Sequence, residues 1–147
     1  MDRRNIFRTM IAAAAGAVAA RASAATEPQA GVPKVVYHLA DAEKVDFVLG
    51  NMRNHIDGVG GPDKVTLALV VHGPALASFE GSTTDDELKK KVANLSKRGV
   101  ALHACVNTLN HMKKTLADLQ PGFVLADKGG VVRLADLQQQ GYLYLRP

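Results

Sequence analysis

The residues best suited to chemistry stand directly after short apolar runs of the sequence. Cys105 is the single cysteine of the chain and follows the run VALHA. His38 and the pair His72-Gly73 end two earlier apolar runs, and Asn107 comes two residues after the cysteine. An ionised thiol is a nucleophile, and a nearby imidazole or amide can stabilise its charge. These five residues are therefore the candidate site.

The elements that must position these residues alternate between strand and helix patterns. Continuous or β-branched apolar runs predict strands at 34–39, 64–73, 100–104, 122–126 and 142–146. Apolar residues at spacings of three and four predict helices at 41–56, 83–99, 107–119 and 130–141, with one helical turn at 74–81. This alternation predicts an α/β fold with a mainly parallel sheet and helices on both faces.

Local signals suggest where two of the predicted helices begin and end. Asp41 is placed to cap the first helix, and Thr84 with Glu87 forms the spacing of a capping box. Gly99 is placed to end the second helix as a C-terminal cap.

Parallel strands point their carboxyl ends toward one edge of a sheet, where ligands bind in such folds. The polar residues at predicted strand ends are His38, His72, Gly73, Cys105, Asn107 and Asp127. His55 and His111 fall within helices and are predicted to face solvent or to be partly buried. His103 lies inside a strand and is predicted to pack in the core.

Two interpretations of Cys105 stand side by side. Between a strand and a helix, backbone N–H groups and the helix dipole favour an anion, which would lower the pKa of the thiol and make it more reactive. A cysteine in a folded domain is also often a small buried hydrophobic residue. His72 is either a site residue or the end of a strand, and Asn107 either touches a ligand or caps a helix. A Cys/His metal site of Cys105, His72 and His38 is a further hypothesis.

The N-terminus has the layout of a signal peptide over residues 1–24. A basic start precedes an alanine-rich apolar run, and Ala22-Ser23-Ala24 fits a cleavage site, so the mature chain is predicted to be periplasmic. Arg3-Arg4 resembles a twin-arginine signal, with ordinary Sec export as the alternative. The apolar run is well below the roughly 20 residues of a spanning helix, so no membrane anchor is expected.

Charge and length favour one compact domain without a nucleic-acid surface. The whole chain has a net charge of +4, but residues 1–24 hold four arginines against one aspartate, which leaves about +1 for the remainder. A nucleic-acid partner is therefore not expected. Residues 25–33 are predicted to be a flexible lead-in, and residues 34–147 to form one domain.

The sequence resembles the DsrE/DsrF-like (YchN-like) family of small sulfur-metabolism proteins over nearly all of residues 34–147. The matching segments are VVYHLAD, LALVVHGPAL, GVALHACVNTL and GVVRLADLQQQGYLYLRP. The resemblance implies a three-layer α/β/α sandwich with a five-stranded, mainly parallel sheet. It also implies a homotrimer or homohexamer and, in some members, a persulfide on a cysteine placed like Cys105, with His72 as its neighbour.

The resemblance turns a generic reactive cysteine into a specific hypothesis. Cys105 would carry sulfur as a persulfide between donor and acceptor proteins, supported by His72, Gly73, Asn107 and His38, with no cofactor and no metal. The alternative is a non-catalytic oligomeric module that binds a small anionic ligand at the strand ends, in which Cys105 is packing.

Overall fold

The computed structural model describes residues 31–147, so the predicted signal peptide lies outside the described residues. Gly31 to Pro33 have no regular structure, and the strands and helices begin at Lys34. The strands are β1 Lys34–Leu39, β2 Thr66–Val71, β3 Ala101–Cys105, β4 Phe123–Ala126 and β5 Leu143–Leu145. The α-helices are α1 Val45–Gly58, α2 Asp86–Lys97, α3 Val106–Met112 and α4 Gly130–Gln139. Short 3₁₀ helices lie at Ala42–Lys44, Gly73–Phe79 and Leu116–Asp118.

The five strands form a single sheet in the order β4-β3-β2-β1-β5, and every neighbouring pair is parallel. From β1 to β4 the chain steps toward one edge of the sheet, and from β4 it returns to the other edge to form β5. Because crossovers between parallel strands are right-handed, this reversal puts α4 on the face opposite α1, α2 and α3. The fold is thus a three-layer α/β/α sandwich with a five-stranded parallel sheet, which confirms the predicted fold class.

The face that carries three helices holds the main core. Strand residues such as Leu67, Leu69 and Val71 point to this face and are at most 2% exposed. They pack with the apolar faces of α1 and α2 and with the 3₁₀ segment that ends at Phe79. The Phe79 ring meets the edge of the Phe123 ring at 5.2 Å between centroids, which joins this segment to β4.

The opposite face has a smaller apolar cluster under α4. Its members are Val36, Ala68, Val70, Leu134 and Leu137. Because side chains alternate along a strand, His38 and His72, which come two residues after Val36 and Val70, also point to this face. The histidines and the cysteine at the strand ends therefore lie on the α4 side of the sheet.

Two helix boundaries differ from the sequence-based predictions. The capping box of Thr84 and Glu87 is wrong, because α2 is capped by Asp85, whose Oδ1 accepts the Leu88 N–H at 2.8 Å. The buried Thr84 hydroxyl instead donates to the carbonyl oxygens of Ser78 and Glu80.

The predicted helix over 107–119 is also too long. Helix α3 ends at Met112, because Lys113 takes a left-handed conformation with φ 56°. Thr115 and Asp118 then form a capping box of their own around the following 3₁₀ turn. The apolar spacing of Met112 and Leu116 continues across this break, which is why periodicity alone missed it.

Of the two remaining predicted caps, the one at Asp41 is wrong and the one at Gly99 is confirmed. Asp41 precedes the 3₁₀ turn that leads into α1, but its side chain caps nothing and accepts from Arg146 at 3.2 Å. Gly99 has φ 85°, and the N–H groups of Gly99 and Val100 bond to Ser96 and Leu95 as in a Schellman cap. The Gly99 cap is therefore confirmed.

In residues 31–147, none of the helices combines the length and the hydropathy that crossing a membrane requires.

Candidate functional site

The carboxyl ends of β2 and β3 open into one cavity of about 540 Å³. Four of the five candidate residues, His72, Gly73, Cys105 and Asn107, line it. The remaining lining residues come from the 3₁₀ segment after β2, from α3 and from the start of α4, and they are Pro74, Ala77, Thr108, His111, Met112, Lys128, Gly129, Gly130, Val131 and Val132. The rule that strand ends meet at one edge therefore brings these four residues together.

His38, the fifth candidate, lies behind the cavity wall rather than in it. Its Nε2 atom is 2.5 Å from the Nε2 atom of His72, and the two rings stack with centroids 4.7 Å apart. The other nitrogen of His38, Nδ1, is 2.6 Å from the Tyr144 hydroxyl on β5. A hydrogen-bonded chain thus runs from the cavity through two imidazoles to the edge of the sheet.

Cys105 ends β3 and is 4% exposed, although it forms part of the cavity wall. The N–H of Gly130, the first residue of α4, points at its sulfur and donates over 3.1 Å. Burial raises the pKa of the Cys105 thiol, but donors from Thr108, Gly130 and Asn107 lower it. The combined effect of the hydrogen-bond donors exceeds that of burial, so the pKa of the Cys105 thiol lies below its usual range. The thiolate is therefore favoured more than in a free cysteine.

Glycines let the start of α4 approach the thiol this closely. A Cβ atom on Gly130 would lie 3.3 Å from the Cβ atoms of both Cys105 and His72. Gly129 has φ 101°, and a Cβ atom there would lie 2.7 Å from Nδ2 of Asn107. A Cβ atom on Gly130 would be closer than an ordinary contact. A side chain at Gly129 would be strained by the positive φ and would have to displace the Asn107 amide, so both glycines favour the observed close approach.

Thr108 connects the two strand ends. Its hydroxyl oxygen accepts the N–H of Gly73 at 2.9 Å, where Gly73 takes a left-handed φ of 60°. The same threonine provides hydrogen bonds that lower the pKa of Cys105. One side chain of α3 therefore fixes the loop after β2 and stabilises the thiolate.

The imidazoles of His38 and His72 are neutral at pH 7. Burial, together with the charges of His72 and Arg146, lowers the pKa of His38 to about 4 against an opposing effect of Asp41. Burial and Arg146 also lower the pKa of His72. Neutral imidazoles can pass or accept a proton, but they add no positive charge to the cavity.

The other titratable candidates are placed as follows. His103 is 5% exposed under α4, as its predicted core packing requires, and burial with the charge of Arg133 lowers its pKa to about 4. His111 is exposed, as predicted, and also lines the cavity. Asp127 does not reach the cavity and borders a smaller one of about 200 Å³ together with Arg133.

Four residues that the site depends on were missed by reasoning from the sequence. They are Thr108, Lys128, Gly129 and Gly130, and all line the cavity. The adjacent glycines 129 and 130 between a strand and a helix were a usable signal for close approach. The Thr108 donors to Cys105 follow from its place three residues on, at the start of α3, whereas its bond to Gly73 depends on how α3 packs beside the loop after β2.

The donor set does not form a metal centre. Within residues 31–147, no group of three or more His, Cys, Asp or Glu side chains is arranged to hold a metal ion. The Nε2 atoms of His38 and His72 lie 2.5 Å apart, closer than the roughly 3.3 Å that separates two nitrogen ligands of a tetrahedral zinc ion.

Comparison with known proteins gives a likeness of fold. The chain is similar to a solved structure described as a protein of unknown function, MTH1491, from Methanobacterium thermoautotrophicum. The two superpose with a TM-score of 0.68 and 26% identity, over 78% of this chain and 99% of the other. No protein-family model matches the sequence, and the search of curated proteins found no match.

Proposed function

We propose that this protein is a sulfur carrier that holds a sulfane sulfur as a persulfide on Cys105. The observation that carries the proposal is the cysteine at the wall of a cavity, with donors from two helices directed at its sulfur. These donors lower the pKa of the thiol, and the thiolate is the form that attacks sulfur. The resemblance to DsrE/DsrF-like proteins in GVALHACVNTL points to the same chemistry.

The reaction is an exchange at sulfur. The Cys105 thiolate attacks the sulfane sulfur of a donor, the bond from that sulfur to the donor breaks, and the donor leaves with the electron pair. The attacked sulfur is now bonded to Sγ, and no external oxidant or reductant is needed. The N–H of Gly130 and the donors of Thr108 stabilise the attacking thiolate at Sγ, and the terminal sulfur of the persulfide would extend from there into the cavity.

The cellular setting is part of the proposal. The N-terminal sequence supports export, by a twin-arginine or Sec signal, to the periplasm, with donor and acceptor proteins as partners. Self-association as a homotrimer or homohexamer is supported by apolar side chains at the free sheet edge, where Leu143 is 66% exposed and Leu145 is 41% exposed. Such exposed apolar edge strands usually need a covering partner.

Mass spectrometry of the purified chain tests the proposal directly. After incubation with inorganic polysulfide, we expect an adduct of about 32 Da on Cys105 that a reductant removes. Cys105→Ser should show none. Thr108→Val lacks the hydroxyl that hydrogen-bonds to the thiolate, so the pKa of Cys105 should rise and the adduct should form more slowly at neutral pH. An intact, folded chain that gains no adduct from any sulfane donor would exclude a sulfur carrier.

A second candidate function is a binding module for a small anion, with Cys105 as packing. The observation in its favour is that Cys105 is 4% exposed and that its sulfur satisfies the first N–H of α4, as a structural cysteine would. Titration of the thiol by alkylation rate separates the two functions. A pKa at or above about 8.5, with slow alkylation, supports the module.

A further inference from the structure

The cavity beside Cys105 is much larger than sulfur transfer by itself requires. Its volume is about 540 Å³, whereas a water molecule occupies roughly 30 Å³ in the liquid. A small inorganic donor would leave most of this space to solvent. The volume falls within the range of roughly 300–1,000 Å³ that is typical of pockets for organic molecules.

Much of the cavity wall is apolar. Met112 of α3 and Val131 and Val132 of α4 border the cavity, and the two valines are 67% and 41% exposed. Pro74 and Ala77 continue this surface on the loop after β2. Exposed apolar groups that surround a reactive thiol gain free energy when a hydrocarbon chain covers them.

The charge of the cavity argues against a dianionic donor. Among the described residues, Lys128 is the sole lysine or arginine that lines the cavity. The burial of His72 lowers its pKa, so this imidazole is neutral at pH 7. A dianion such as thiosulfate beside the Cys105 thiolate would bring three negative charges to one exposed ammonium group. A carboxylate donor that reacts through its protonated persulfide form, R–S–SH, brings a single negative charge and is balanced better by Lys128.

We propose that the cavity selects a low-molecular-weight organic persulfide with an apolar chain and one carboxylate. The chain lies along Met112 and Val132, the carboxylate pairs with Lys128, and the terminal sulfur reaches Cys105. This inference rests on the proposed sulfur-carrier function and specifies its donor.

The transfer balances within the pair of reactants. The Cys105 thiolate attacks the terminal sulfur of R–S–SH, the bond between the two donor sulfurs breaks, and R–S⁻ leaves with the electron pair. The products are Cys105–S–SH and the donor thiolate, so Sγ is oxidised to the level of a persulfide and the donor sulfur is reduced. The departing thiolate takes a proton from water.

Rates of adduct formation on the full chain test this selectivity. The donors are mercaptohexanoate persulfide, hexyl persulfide, mercaptoethanol persulfide and thiosulfate, with mass spectrometry of Cys105 as the readout. We expect mercaptohexanoate persulfide to react fastest and thiosulfate slowest. Each methylene in contact with the wall should contribute up to about fourfold in rate. Lys128→Gln should reduce the advantage of the carboxylate by about two- to fivefold.

A matched pair of variants locates the effect. Val132→Ser should slow both six-carbon persulfides by about fourfold or more while leaving mercaptoethanol persulfide unchanged. Val124→Ser is the control, because Val124 is 49% exposed on β4 and does not line the cavity.

The outcomes distinguish the two proposals. If all donors form the adduct at similar rates, or if Val124→Ser acts like Val132→Ser, the organic donor is excluded while the carrier function stands. A second copy or a protein partner that fills the cavity would abolish the chain-length preference and give that same result. If no donor forms an adduct, the carrier function itself fails.

Discussion

The two faces of the sheet are built for different purposes. The face under α1, α2 and α3 is closed by a large cluster of buried apolar side chains. The face under α4 has a small apolar cluster, and the same side of the sheet holds His38, His72, His103 and Cys105. Most of the buried apolar core therefore lies on one face and the candidate site on the other.

The difference follows from the path of the chain. Three successive crossovers in one direction stack three helices on the same face, and the single return crossover supplies one helix to the other face. One helix cannot cover five strands, so the strand ends beside the N-terminus of α4 stay open. That opening is where the cavity and Cys105 lie.

Truncating one leucine on each face should give the largest effects and compare the faces directly. Leu69→Ala should lower the free energy of unfolding by about 3–5 kcal/mol, because the cavity it leaves is enclosed by helices and sheet. Leu137→Ala should cost less, about 2–3 kcal/mol, because a single helix can move to fill the space. Urea denaturation measures both, and an equal or larger loss for Leu137→Ala would contradict the comparison.

Acid should weaken the α4 face selectively. Folding lowers the pKa of His103 to about 4 from the usual value near 6.5, so the unfolded chain binds protons more readily between these values. Stability is complete above about pH 6.5 and is lost as the pH falls toward 4, by about 3 kcal/mol for this one group. The low pKa of His38 acts in the same direction.

The measurement is the free energy of unfolding as a function of pH. His103→Leu should flatten the curve between about pH 6.5 and 4, because leucine takes no proton. Asn110→Gln is the control and should leave the slope unchanged, since it replaces an exposed residue of α3 without adding or removing a titratable group. An unchanged slope in His103→Leu would contradict the assignment.

A methyl group at the junction of α4 and the strand ends should cost about 1–3 kcal/mol. In Gly130→Ala the new Cβ atom would lie 3.3 Å from the Cβ atoms of Cys105 and His72, closer than an ordinary contact, so we expect the start of α4 to move by a few tenths of an ångström. The shift lengthens the hydrogen bond from Gly130 to the sulfur, and the thiol pKa should rise.

The matched glycine is Gly50 in α1, where a Cβ atom meets nothing within 4 Å. Gly50→Ala should stabilise the protein by about 0.5–1 kcal/mol, because it removes backbone freedom from the unfolded chain. Denaturation and the pH dependence of alkylation are measured on both variants. If Gly130→Ala is as well tolerated as Gly50→Ala, the close approach is not important.

The smallest expected effect concerns how the first turns of the helices are satisfied. Asp85 caps α2 with its carboxylate, whereas α4 has no side-chain cap and directs its first N–H to the Cys105 sulfur. Asp85→Ala should lower stability by about 1 kcal/mol without changing the reactivity of Cys105. Glu87→Ala should lower stability by less than Asp85→Ala, since Glu87 has no capping role. A larger loss of stability in Glu87→Ala than in Asp85→Ala would favour the capping box of Thr84 and Glu87 over the observed Asp85 cap.

Much of the fold was readable because its signals are local. The continuous apolar run of β2 marks a strand buried on both faces, and all five predicted strands are present with ends within two residues. Gly99 marks a true C-terminal cap. The errors arose where a local signal had a competitor: Asp85 stands beside Thr84, and Met112 keeps helical spacing with Leu116 across a break.

The sequence by itself determined the alternation of strands and helices and, through it, the sheet edge at which His72, Gly73, Cys105 and Asn107 meet. This was possible because side-chain alternation and strand direction are properties of the local chain. The tertiary structure alone decided what surrounds the thiol. The Gly130 N–H at the sulfur, the Gly73–Thr108 bond, the His38–His72–Tyr144 chain and the apolar wall join residues far apart in sequence. Their contacts depend on how α3 and α4 pack and on the strand order β2-β1-β5.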